Sequence, residues 1–285
     1  MFIITGATGT LGSQIIERVL QHVDPREVGV SVRDVTKAAA LTERGVRVRS
    51  GDFTTPSTLA HAFEGAERVL VVSAAIRGGS AFDANSAAID AAREAGAQHI
   101  LYTSHQAAAP DSLFAAQPVH AATEDYLASV GVPFTALRNG FYANTLGHYI
   151  TGGLQTGTLS LPEDGPVSWT DHADLADVAA HALIGDTDLD GVTPPLTAPA
   201  MYDFADVADL LSEITGRTIR RVVTSDEEWK ASAVERGMPA QAADFSLGMF
   251  RASRRGEFAV TDPTLERVNG HPAASVRTVL EHLVG

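Results

Sequence analysis

Cysteine is missing from all 285 residues. That removes disulfides, thiolate metal sites and thiol redox sensing together. Lysine is scarce as well, with only Lys37 and Lys230 present. Basic residues are outnumbered, 21 Lys and Arg against 35 Asp and Glu, for a formal charge of −14. So acidic a chain has no general basic face, which argues against nucleic acid or an anionic membrane as partner. A local basic patch stays open, since "RTIRR" (217–221) and "RASRR" (251–255) cluster arginines, but such short runs read as solvated or ion-paired. No segment approaches the roughly 18 uninterrupted apolar residues of a membrane helix. The first strand-like run starts near Phe2, leaving no room for a cleaved signal, so the expected location is the cytoplasm. Internal repeats and low-complexity segments are absent too.

What remains is an ordinary globular composition, 45% hydrophobic and 20% charged, long enough for one large or two unequal domains. Strand-like runs stand at 2–5, 28–32, 46–50, 68–73, 99–104 and 133–138. Helical patterns near 10–22, 35–44, 56–63, 81–95 and 118–130 alternate with them. Such alternation predicts an α/β fold, a doubly wound parallel sheet with helices on both faces. After about residue 140 the rhythm loosens. Glycine and proline punctuate 147–166 and 185–199, and helical patterns near 172–184, 203–215 and 272–283 surround strand-like "TPPLTA" and "IRRVV". The expected division is a nucleotide-binding domain over 1–145, with strands from later segments allowed, and a smaller substrate region over 146–285.

"ITGATGTLG" follows the first strand and opens the first helix, the setting that a dinucleotide fingerprint requires. Gly6 permits the tight turn, Gly9 lets backbone approach a pyrophosphate, and Gly12 lets helix pack close on strand. Gly6, Thr8, Gly9, Thr10, Leu11 and Gly12 are the expected phosphate cradle, with the helix N-terminus behind it. At the end of the second strand stands Arg33, where an acid would select NAD; a guanidinium suits the 2′-phosphate of NADPH. Asp34 follows and offers the alternative of a carboxylate on the ribose, so NADH stays open. Further strand ends supply Asp52 and Phe53 for the adenine and Ser73, Ala74 and Ala75 along the ribose. Thr103 is expected beside the nicotinamide, with Asn139, Gly140 and Phe141 closing the set.

These pieces, with "RVRSGDF", "YTSH", "HAATEDYLASVGVPFTALRNGFY" and "LERVNGHPAASV", resemble the NmrA-like group of atypical short-chain dehydrogenases/reductases, and most of all its bacterial NADPH:quinone reductases. The resemblance spans nearly the full chain. It implies a Rossmann-like fold, a nicotinamide cofactor and either reductase activity or a non-catalytic, redox-reading regulator that acts through a protein partner. One departure is informative. Short-chain reductases commonly use a Tyr-x-x-x-Lys pair, in which lysine lowers the tyrosine pKa. Here no lysine follows any of the five tyrosines by four positions. His120 stands near the tyrosine position and Glu124 near the lysine position. Related quinone reductases carry a lysine where this chain has Asp125.

The missing relay narrows the chemistry. Hydride addition to a simple ketone leaves a strongly basic alkoxide that needs an acid. Addition to a quinone leaves a delocalised, weakly basic oxygen, so positioning suffices. The expected function is NADPH-dependent reduction of a quinone or similar, even polycyclic, aromatic acceptor. Ser104, His120 and Tyr142 are the expected acceptor contacts, with His105 and Asn144 nearby. Trp169 is expected to wall the second region, and Asp171 to cap the helix after it, with Asp174 in its first turn. The histidines follow no metal-binding pattern, so no metal is expected. A homodimer is left open.

Overall fold

Runs that are apolar throughout can sit only where both sheet faces are covered. The computed structural model, which describes residues 1–74 and 80–285, places them there. In chain order the strands are β1 (Phe2–Thr5), β2 (Val28–Val32), β3 (Arg47–Ser50), β4 (Arg68–Val71), β5 (His99–His105) and β6 (Phe134–Asn139). Shorter or later ones are β7 (Phe141–Tyr142), β8 (Thr158–Pro162), β9 (Trp169–Thr170), β10 (Gly191–Val192) and β11 (Arg220–Thr224). The helices are α1 (Thr10–Val19), α2 (Ala39–Glu43), α3 (Leu59–Phe63), α4 (Ser80–Glu94), α5 (Ala116–Ser129) and α6 (Gly147–Thr156). They continue with α7 (His172–Ile184), α8 (Phe204–Thr215), α9 (Asp226–Glu235), α10 (Ala240–Arg254), α11 (Thr264–Asn269) and α12 (Val276–Val284).

The main sheet runs β10-β6-β5-β4-β1-β2-β3, and every pairing in it is parallel. Strand order reverses at β1, which pairs with β2 on one side and β4 on the other. At that reversal a crevice opens beyond the carboxyl ends of the strands, the place where doubly wound sheets hold ligands.

Each face has its own core. Leu11, Ile15, Ile16 and Val19 recur on one side of α1, and α7 adds Leu175, Ala179 and Leu183; together they cover Ile4, Leu70, Leu101 and Leu137. Phe63, Ala88, Ile89 and Leu127 from α3, α4 and α5 cover Ile3, Val69, Val71 and Ile100 on the other face. A third cluster lies beyond the sheet, where Phe141, Trp169, Phe204, Phe250 and Phe258 pack with Phe114 from the segment before α5. Trp169 is buried there, and Asp171 caps α7 through the Ala173 N–H at 2.6 Å.

The later half thus supplies both a separate aromatic core and two elements, α7 and β10, that return to the sheet. "TPPLTA" is not a strand, contrary to its pattern. Pro194 and Pro195 bring no N–H to a ladder, and the segment keeps one bridge, Asn139 to Leu196. The helical pattern at 35–44 splits into a 3-10 turn (Val35–Ala38) and the short α2. Helices α6, α9 and α10 occupy stretches where no helix is expected from the pattern.

Candidate active site

Gly6 follows the first strand at φ +62°, and a Cβ there would meet Val72 Cβ at 3.1 Å. A Cβ on Gly12 would lie 2.2 Å from the Gly6 carbonyl oxygen, so α1 approaches the turn this closely only because residue 12 is glycine. Gly9 is the helix N-cap and brings no side-chain acceptor, and the first turn of α1 has no acid. Its leading amides therefore keep their positive field for an anion. Gly6, Thr8, Gly9 and Thr10 are exposed, whereas the Leu11 side chain is core and leaves only its backbone to the turn.

Arg33 follows β2, exposed, and its guanidinium makes no hydrogen bond or salt bridge among the described residues. Asp34 is already engaged. Its Oδ1 accepts the Thr36 N–H at 3.0 Å and the Thr36 hydroxyl at 2.6 Å, and the hydroxyl bond leads in holding its pKa below the usual range. Asp52 is turned the same way onto Thr54, which lowers its pKa, and the positive field of Arg33 adds to the shift. Arg33 and Asp52 therefore share the β2–β3 end of the crevice. Phe53 packs beside them against the α3–α4 core.

Strand ends β4 and β5 are tied together. The Ser73 N–H donates to Thr103 Oγ1 at 2.8 Å, and Thr103 is buried. The Ala74 N–H donates to Asn85 Oδ1 at 2.9 Å. Ala75 lies outside the described residues.

The buried face of α5 carries polar residues where a helix on a sheet normally carries apolar ones. Gln117, His120 and Glu124, spaced three and four apart, stand over β5. Gln117 Nε2 lies 2.7 Å from His105 Nδ1, and His120 Nδ1 lies 2.8 Å from the Tyr102 hydroxyl. Ser104 donates to Glu124 Oε1 at 2.5 Å, and Arg138 on β6 clasps the same carboxylate through Nε at 2.9 Å and Nη2 at 2.6 Å. The Ser104 hydroxyl is thereby committed to a buried ion pair.

His105 and His120 face each other with ring centroids 6.1 Å apart. His105 sits edge-on to Phe141 and Phe258 at 5.3 and 5.8 Å. Burial lowers both pKa values, that of His120 to about 4 and that of His105 well below its ordinary value, with His120 adding to the shift at His105. Both imidazoles are neutral at physiological pH. Tyr102 is fully buried, and burial raises its pKa far above that of a free phenol.

Tyr142 stacks on His172 at 4.2 Å, and its hydroxyl accepts a 3.4 Å bond from Asn139 Nδ2. Asn139 Oδ1 is buried without a hydrogen-bond partner among the described residues. Gly140 is a packing glycine: a Cβ would sit 2.1 Å from Thr170 Oγ1. Phe141 is turned into the aromatic core, and its N–H donates to Gln106. Of the acceptor contacts expected from sequence, Ser104 is bonded to Glu124 on α5 and His120 to Tyr102 on β5, while Tyr142 stacks on His172 and its charge reaches Tyr102. Sequence reasoning missed Asn85, Gln117 and Arg138; the polar spacing 117, 120, 124 on an otherwise core-facing helix was the signal available.

Among the described residues, Asp174, Asp177 and His271 bring ligand-type atoms within 4.8 Å of one another. Asp177 is held by Arg18 at 2.8 Å and Asp174 accepts the Ala274 N–H, so both already tie α7 to its neighbours.

A parallel sheet reversing at β1, with a glycine turn at its first βα junction, defines the Rossmann-like class of fold. The chain belongs to the NmrA-like family, whose model matches residues 1–282. It is 31% identical over 274 residues to the NAD(P)H azoreductase of Xenophilus azovorans, covering 96% of this chain and 94% of that one. The NADPH-dependent quinone oxidoreductase of Escherichia coli, solved with NADPH, superposes with a TM-score of 0.94 at 28% identity over 100% of both chains. The triphenylmethane reductase of Citrobacter sp., solved with NADP(H), gives 0.93 at 28% identity over 99% of this chain and 100% of that one.

The clasp on Glu124 generates a stability prediction. Arg138→Ala leaves a buried carboxylate with one neutral donor, which should cost about 3–5 kcal/mol in urea unfolding. The double change Glu124→Leu/Arg138→Leu should recover most of that loss, because no uncompensated charge remains. Equal losses in both variants would mean that shape, rather than charge pairing, holds α5 to β5.

Proposed function

We propose that this chain is an NADPH-dependent reductase of a quinone or similar flat aromatic acceptor. The observation that carries this reading is the neutral imidazole of His105 at the end of β5, ringed by Phe114, Phe141 and Phe258, with the neutral His120 of α5 facing it. The chain is an NAD(P)H-dependent oxidoreductase of its family, and its own residues fit the cofactor. The glycine turn leaves the leading amides of α1 open to a pyrophosphate, and α1 reaches that turn because Gly12 has no Cβ to strike the Gly6 carbonyl. Arg33 is free for a 2′-phosphate, and Asp34, engaged by Thr36, does not compete for the ribose. NADPH bound there supplies a hydride.

The residues at the acceptor end bind and orient. Aromatic side chains exclude water and match a flat ring system, which strengthens each remaining polar contact. His120 gives one neutral N–H to the oxygen that gains charge. That is enough for a quinone, whose negative charge spreads over the ring, and too little for the alkoxide of a simple ketone. No cation stands where a Tyr–Lys relay would need one: Glu124 occupies that place, and its partners are Ser104 and Arg138. Solvent protonates the product.

Oxidation of NADPH with and without a panel of benzo-, naphtho- and polycyclic quinones tests the reading. The expected result is quinone-dependent turnover with secondary alcohols and simple ketones inert. No turnover with any quinone would overturn it in favour of a nucleotide-binding regulator. Arg33→Ala should weaken NADPH roughly ten- to hundredfold, the worth of a charge-assisted contact, and leave NADH almost unchanged.

Because burial holds the His120 pKa near 4, the ring takes up its proton only below the pH range of the assay. The kcat/KM profile from pH 5 to 9 should therefore show no ionisation belonging to His120. His120→Ala should lower kcat/KM by about ten- to hundredfold without changing the profile's shape. An ionisation near pH 6 to 7 that vanishes in His120→Ala would make His120 a general acid.

A further inference from the structure

From the donors and acceptors around Tyr102 we infer that Asn85 and Tyr102 form a one-way hydrogen-bond relay that fixes His120 as the Nε2–H tautomer, so that the ring always presents a donor to the acceptor. The inference rests on the proposed reductase reading and deepens it.

The argument starts at a group whose role cannot change. The Ala74 N–H is a backbone donor, so the Asn85 side-chain atom 2.9 Å from it must be the oxygen. That assignment turns the Asn85 amide nitrogen to the Tyr102 hydroxyl, 3.2 Å away. The amide can only donate, so the Tyr102 oxygen accepts. Tyr102 then has one proton to give. Thr123 also lies near the hydroxyl, its own proton held by the Val119 carbonyl at 2.7 Å, but the short contact is to His120 Nδ1 at 2.8 Å. Nδ1 accepts, which puts the ring's proton on Nε2. No described residue takes a bond from His120 Nε2. The same logic applies next door. His105 Nδ1 accepts from the Ala107 N–H at 3.3 Å and from Gln117, so this ring also carries its proton on Nε2. Burial keeps the Tyr102 hydroxyl protonated throughout, so the relay does not reverse by ionisation.

The relay begins on the backbone of Ala74, just past β4, and ends on α5, and neither Asn85 nor Tyr102 meets the acceptor. They are positioning residues. A bare Nε2 would repel the electron-rich oxygen of a quinone where an N–H attracts it, so the tautomer selects acceptors that offer a lone pair.

Nitrogen-15 NMR of protein carrying labelled histidine reads the tautomer directly, the His120 signal being identified by its loss in His120→Ala. The wild type should show protonated Nε2 and bare Nδ1. Tyr102→Phe keeps the shape of this fully buried ring and should release the ring into mixed tautomers. It should lower kcat for a quinone by roughly tenfold while leaving NADPH affinity unchanged. Asn85→Asp still accepts from Ala74 but draws the Tyr102 proton to itself, and should move the His120 proton to Nδ1. A wild type protonated at Nδ1 overturns the relay, as does a Tyr102→Phe enzyme that keeps pure Nε2–H. An Asn85→Asp enzyme with the wild-type tautomer removes Asn85 from it. A wild type with the Nε2–H tautomer that turns over no quinone supports the relay and rejects the proposed reaction.

Discussion

One buried carboxylate sets the register of the acceptor end. Ser104 and Arg138 are paired residues on neighbouring strands, and both reach the same Glu124 on α5. A fork-to-fork contact between guanidinium and carboxylate tolerates little sliding or rotation. Once Glu124 is fixed, the turn of α5 before it puts His120 over Tyr102, and the turn before that puts Gln117 over His105. An apolar helix face would pack as tightly but would accept several neighbouring registers. Such a buried pair adds little net stability, since desolvation cancels much of the attraction; what it specifies is position.

The environment, more than the residue types, determines the chemistry of the two histidines. On a surface each would titrate near pH 6.5 and supply protons. Here Phe114, Phe141 and Phe258 come from three separate segments to surround His105, and burial makes the charged form costly for both rings. The third core thus does two things. It seals the C-terminal half around large rings, and it keeps both imidazoles uncharged.

Much of the sheet was legible because its signal is local. Val28–Val32 is a short apolar run, and each of its residues is buried. The glycine turn was legible because three spacings must coincide there. The engagement of Asp34 by Thr36 two residues on is an Asx turn that the sequence also contains. Other parts depended on distant partners. Helix α6 holds Gly147, Gly152 and Gly153 and looks like a loop, yet Gly153 is there because Leu159 lies where a larger side chain would press. Helix α9 has little apolar periodicity, but the capping box of Ser225 and Glu228 marks its start. The clasp on Glu124 was beyond sequence reasoning, since it needs α5, β5 and β6 already in register.

The placement of α7 and β10 also bears on how the chain is made. One face of the sheet, with Ile4, Leu70, Leu101 and Leu137, is shared between α1 and α7, and the outer edge of β6 is closed by Gly191–Val192. Six of the sheet's strands therefore leave the ribosome before the helix that finishes covering them and the strand that blocks their edge. Throughout that interval the nascent protein shows an apolar face and an unpaired parallel edge, both of which invite association with other chains. Its yield in a cell will be governed by how fast residues 172–192 follow, and by what shields the sheet until they arrive.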